Sequence, residues 1–106
     1  MMIRAVAALT GGALLLSAPV RAQDAGNVGH GREIAQNICS ACHVVSRGRP
    51  VSPNSEAPPF PKLADTPGMT SIALSVALQT SHRLMPNIIL QPDERRDVIA
   101  YILSLK

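Results

Sequence analysis

Large side chains are nearly missing from this sequence. Its 106 residues include one Phe, one Tyr and no Trp, although aromatic rings usually supply much of the area buried in a small core. Cysteine is equally scarce. The two present, Cys39 and Cys42, cannot build the framework of bridges that holds many small exported domains together. A strong basic excess is absent as well. Lys and Arg number 10 against 7 Asp and Glu, and Arg4 and Arg21 fall in a leader segment, which leaves eight basic residues against seven acidic ones in the rest. That balance excludes a general nucleic-acid binder, which needs a basic patch or stripe. Internal repeats are lacking, and no apolar run reaches the length of a bilayer span.

The leader is "MMIRAVAALTGGALLLSAPVRAQ". Arg4 precedes an apolar run from Ala5 to Ala18, and Val20 and Ala22 occupy the minus-three and minus-one places of a cut after Ala22. This pattern predicts a secretory signal peptide over residues 1–22 and one exported domain over residues 23–106, with a soluble mature form. A domain of that size buries a modest fraction of its surface and commonly needs a staple. Eight of the nine prolines lie in the exported part and add loop rather than core. Something other than side chains is expected to fill the middle.

The stretch that answers this is "ICSACHVV", residues 38–45, where both thiols stand with His43 directly behind the second. A disulfide between Cys39 and Cys42 closes a tiny loop and constrains the unfolded chain little. A thioredoxin-like pair needs a βαβ context, whereas "GHGREIAQNI" before it reads as helix. A zinc site needs four ligands, and a second cysteine pair is absent. CxxCH is the attachment sequence of c-type haem. Two thiols at this spacing can add to the two vinyl groups of one porphyrin, and His43 then lies under the ring as an iron ligand. The flat apolar macrocycle supplies the missing core.

Elsewhere, residues 28, 31, 35, 38 and 42 recur at gaps of three and four and predict one helix face running into the cysteines. Gly31 within it points to close packing against another backbone. Residues 46–67 contain six prolines and read as loop, with a short turn near Pro61–Ala64; a loop this long suggests wrapping around a cofactor. A helix is expected over residues 71–80 with Thr70 as its N-cap. "RLMPNIIL" reads as extended, since Pro86 disfavours helix at Met85. The last segment has Pro92 in its first turn, Asp93 and Glu94 at its positive end, and a stripe at Val98, Ile102 and Leu105.

Taken together, "GREIAQNICSACH", "APPF", the "MP" of "SHRLMPNIIL" and "RRDVIAYILSL" make residues 23–106 resemble a class I c-type cytochrome, one of the small bacterial monohaem members. The resemblance implies an all-α cytochrome c fold, with N- and C-terminal helices crossing and loops wrapped around one covalently attached haem c per chain. It implies that Cys39 and Cys42 hold the haem, that His43 is the proximal iron ligand, and that the carbonyl of Pro58 accepts its imidazole N–H. It implies Met85 as the distal ligand, Gly31 at the helix crossing and Tyr101 packed there. Ala35 departs from the aromatic often found at the crossing, and no Trp is available for a haem propionate, whose partner stays open.

Among rival ligands, Met69 lies in "PGMTS" without a following proline, and His82 stands three residues before Met85, so both of those two cannot easily reach one iron. His30 is expected to be solvated. Arg47, Arg49 and Arg83 read either as solvated charges or as a basic rim that steers an acidic partner. The function implied is a periplasmic one-electron carrier. It is not an enzyme by itself, and it acts as a free shuttle or as the small cytochrome subunit of a dehydrogenase or oxidase. Its partners are redox proteins: a dehydrogenase, an oxidase or a respiratory complex. The alternative is a haem-based catalyst or gas-binding protein with an open distal site.

Overall fold

A computed structural model describes residues 25–49, 51–80 and 84–106. The expected leader over residues 1–22, together with His82 and Arg83, lies outside them. Among the described residues four α-helices run in the order α1 (Val28–Asn37), α2 (Phe60–Ala64), α3 (Ser71–Gln79) and α4 (Pro92–Leu103), and a 3₁₀ turn at Cys39–Ala41 follows α1. Among the described residues there is no strand. The chain is all-α, as expected.

Helix α1 begins where Asn27 accepts a hydrogen bond from the His30 amide at 2.9 Å, satisfying one of the free N–H groups of the first turn. It ends at Asn37, earlier than the apolar spacing suggested. Ile38 therefore leaves the stripe: Gly31, Ile34 and Ala35 are buried, whereas Ile38 is 43% exposed and turns toward the cavity described below. At the other end of the chain, Gln91 and Glu94 cap α4 reciprocally, the Gln91 amide donating to Glu94 Oε2 at 2.8 Å.

The helices α1 and α4 cross at Gly31. A Cβ there would lie 1.9 Å from the Asp97 carbonyl oxygen, so only glycine permits the contact. Ala35, fully buried, extends it with a single methyl. On the same clasp, Asp97 accepts from the Asn27 amide at 2.6 Å and sits 2.7 Å from His30 Nδ1. His30 is thus paired rather than simply solvated. Around the crossing, Ile34, Val98, Ile99, Tyr101, Ile102, Phe60 and Leu74 form the core.

The long loop after His43 is more ordered than its proline content suggests. The Asn54 amide donates to the Cys42 carbonyl at 3.1 Å, and the Phe60 amide donates to the Val44 carbonyl at 2.8 Å. Buried Ser52 accepts from the Val44 amide at 3.0 Å, and the Tyr101 hydroxyl donates to the Val45 carbonyl at 2.5 Å. Side chains close the loop because a buried backbone group without a partner is costly. Arg47 is similarly committed. It pairs with Asp65 at 3.0 Å and also donates to the Leu105 carbonyl, which ties the loop to the C-terminus.

Candidate functional site

Beneath α3, and beside the turn that ends α1, lies one apolar cavity of about 410 Å³, a volume in the range of small-molecule sites. Three sequence segments meet in its wall. The first is Cys39, Cys42 and His43; the second is Pro58 and Phe60; the third is Leu84, Met85 and Pro86. Leu63, Leu74 and Leu78 supply much of the remaining lining.

The first segment owes its shape to local hydrogen bonding. The amides of Cys42 and His43 both donate to the Cys39 carbonyl, at 3.2 and 2.9 Å. This tight turn turns both thiols and the imidazole to one cavity. The two sulfurs are not joined to each other. Burial pushes the Cys39 thiol up to about 11, so it stays protonated at neutral pH. A dithiol oxidoreductase needs the opposite, a thiolate stabilised by nearby positive charge.

His43 is oriented by the second segment. Its Nδ1–H donates to the Pro58 carbonyl at 2.7 Å, since a carbonyl can only accept. The proton is thereby held on Nδ1, and Nε2 keeps its lone pair, the arrangement that ligating histidines need. Phe60 flanks the ring with centroids 5.3 Å apart and planes tilted by 50°. Pro58 and Phe60 are held beside His43 because the Phe60 amide is tied to Val44, the residue after the histidine.

Met85 lies on the irregular stretch before α4, half-buried, in the wall of the same cavity. Met69 also lines it and is packed against the core at the start of α3. That second placement was not visible in the sequence, because "PGMTS" gives no hint of which side the turn into α3 faces. Asn54 and Glu56 are polar exceptions in the lining. In the sequence their only signal is their position four and two residues before Pro58.

The donor set fits a covalently held porphyrin iron. Two unpaired thiols, a histidine with Nε2 free and a soft thioether share one apolar cavity, and thiol, imidazole and thioether are the groups that c-type haem uses. Among the described residues no group of three or more His, Cys, Asp or Glu is placed to hold a metal ion by itself. No described helix is long and apolar enough to cross a membrane.

Fold and cavity together define a small all-helical protein built around covalent haem. The family model for cytochrome c matches residues 28–106, and the chain belongs to that family. It is similar to a cytochrome c-552 of Bradyrhizobium diazoefficiens, 37% identical over 82 residues that span 77% of this chain and 78% of the relative. No solved structure matches significantly. The protein is therefore an electron carrier with haem c as its iron cofactor.

Proposed function

We propose that residues 23–106 form a periplasmic one-electron carrier, with haem bound through Cys39 and Cys42 and iron held between His43 and Met85. The observation that carries this reading is the convergence of both thiols, the Pro58-oriented imidazole and the Met85 side chain on one apolar cavity. Haem bound there supplies reversible one-electron exchange between ferric and ferrous iron. The two cysteine sulfurs keep the group from dissociating. The Pro58 carbonyl fixes the His43 tautomer and raises its basicity as a ligand. His43 Nε2 and the Met85 thioether would hold the iron, leaving it no protein-free position for a substrate, so the bound group would exchange electrons with a partner and the protein would not be an enzyme by itself. His/Met ligation favours a relatively high potential.

The expected export signal in residues 1–22 supports a periplasmic location, and the partners are then redox proteins of that compartment. The carrier works as a free shuttle or as the small cytochrome subunit of a dehydrogenase or oxidase.

The test is spectroscopic. The exported protein, produced in a host that matures c-type cytochromes, should retain haem on a denaturing gel and show the weak far-red sulfur-to-iron band in its ferric form. A native ferrous form that binds carbon monoxide, with no such band in the ferric form, would overturn the ligand assignment in favour of an open distal site.

A further inference from the structure

The wall of the apolar cavity contains one charged side chain. Among the described residues that line it, Glu56 alone bears a formal charge, in a lining that is otherwise mostly aliphatic. Its side chain is exposed at the rim, and among the described residues its carboxylate has no ion pair and accepts no hydrogen bond. A negative charge without a cation to offset it thus stands at the edge of the site.

Hydrogen bonds on both sides fix the backbone that carries this residue. The Asn54 amide donates to the Cys42 carbonyl at 3.1 Å, and the Ala57 amide donates to the Asn54 carbonyl at 3.0 Å. Asn54 Oδ1 accepts from the Glu56 amide at 3.0 Å, closing a turn of the kind that Asn favours. Two residues further on, the Pro58 carbonyl accepts from His43 Nδ1 at 2.7 Å. Glu56 therefore rides on a turn pinned to Cys42 at one end and to His43 at the other, the last two residues of CxxCH. A charge tied to those residues keeps a set position relative to any group they hold.

We infer that Glu56 tunes the reduction potential of haem bound in this cavity, its carboxylate favouring the ferric over the ferrous state. The inference rests on the proposed attachment through Cys39 and Cys42 and ligation by His43 and Met85. When one electron leaves for a partner, the charge at the iron rises by one, and a nearby negative charge stabilises that more positive state. An apolar wall screens the attraction less than water does. Because Glu56 is exposed, water and salt still weaken it. His/Met ligation favours a high potential; the carboxylate draws it down and makes the reduced carrier a better donor.

The experiment measures the reduction potential of the mature holoprotein and of its Glu56→Gln, Glu56→Asp, Glu56→Lys and Glu33→Gln variants by spectroelectrochemical titration. Covalent haem on a denaturing gel and the ferric far-red band are recorded first. Absence of either in the wild type would overturn the ligand reading and the inference with it; an unmoved potential with both present would overturn the inference alone. At about 10 mM salt, Glu56→Gln should favour reduction at least about threefold, which is about 28 mV at about 59 mV per tenfold for one electron. Glu56→Lys changes the charge by two and should give about the square of that factor, whereas Glu56→Asp keeps the charge and should stay within about 1.5-fold of wild type. Glu33 is exposed on α1 and outside the cavity wall, so Glu33→Gln should also stay within about 1.5-fold. The Glu56→Gln shift should shrink at about 500 mM salt, as screening requires. A shift as large in Glu33→Gln, or a Glu56→Gln shift accompanied by loss of the far-red band, would overturn the inference, because the effect would then come from overall charge or from a disturbed ligand.

Discussion

Gly31 of α1 rests directly on the backbone of Asp97 in α4, with no room between them for a methyl group. The same Asp97 uses its carboxylate to hold the Asn27 amide and the His30 ring. One residue of α4 thus fixes both the approach of α1 and the place where α1 begins. The CxxCH turn at Cys39–His43 follows α1, so this crossing sets where the thiols and the imidazole stand relative to α4 and the cavity.

Gly31→Ala should separate the two helices. A Cβ placed 1.9 Å from a carbonyl oxygen cannot be accommodated by moving a side chain, and overpacking of this kind costs about 3 kcal/mol or more. Thermal unfolding of the holoprotein should show a fall of about 10 °C or more. Gly29→Ala is the control. Its Cβ meets only the Asn27 side chain at 3.4 Å, so its melting temperature should stay level or rise slightly.

Stability should depend on pH through His30 and Asp97. The bond to Asp97 raises His30 above its ordinary 6.5, and its contribution is complete below that value and is lost as pH climbs through the raised one. The Asn27 amide, then His30, lowers Asp97 below its ordinary 3.8, and that contribution is complete above 3.8 and is lost as pH falls through the lowered value. The pair is therefore at full strength between 3.8 and 6.5. Urea midpoints measured across this range and up to alkaline pH should decline above neutrality in the wild type. In His30→Ala that decline should be shallower; a slope unchanged by the substitution would show that the pair is not its cause.

Two methionines reach the cavity, and only one is assigned to iron. Met69→Leu should leave the ferric sulfur-to-iron band intact and cost less than about 1.5 kcal/mol, as volume-conserving swaps do. Met85→Ala should abolish the band, lower the reduction potential and open the iron to carbon monoxide. The reverse pattern would transfer the distal role to Met69.

Tyr101→Phe should detach the loop that follows the CxxCH turn. The hydroxyl is buried and donates to the Val45 carbonyl, and leaving that acceptor unpaired costs about 1–3 kcal/mol. Amide exchange should quicken through residues 44–52, while the visible spectrum stays unchanged because no ligand is touched.

Legibility in the sequence followed the range of the interactions. Cys39, Cys42 and His43 are covalent neighbours, and one hydrogen-bonded turn is enough to bring them together. The cap at Thr70 was readable for the same reason: it accepts from the Ala73 amide at 3.1 Å, three residues away. Helix α4 announced itself by its proline, its acidic first turn and its stripe. The early end of α1 did not, because apolar spacing continues through Ile38 while the backbone tightens into a 3₁₀ turn. Nor did the His30–Asp97 pair, whose partners are 67 residues apart.

By itself the order of residues determined that two thiols and a histidine stand together as CxxCH, that the chain is helical, and that its side chains are too few and too small to fill a core unaided. These are matters of composition and of contacts within a few positions, which propensity and spacing govern. Only the tertiary structure decided that His30 pairs with Asp97, that Met69 shares the cavity with Met85, and that Ile72 and Val76 face water. Such outcomes depend on where segments land after the chain closes on itself, and packing of α1 against α4 selects that arrangement.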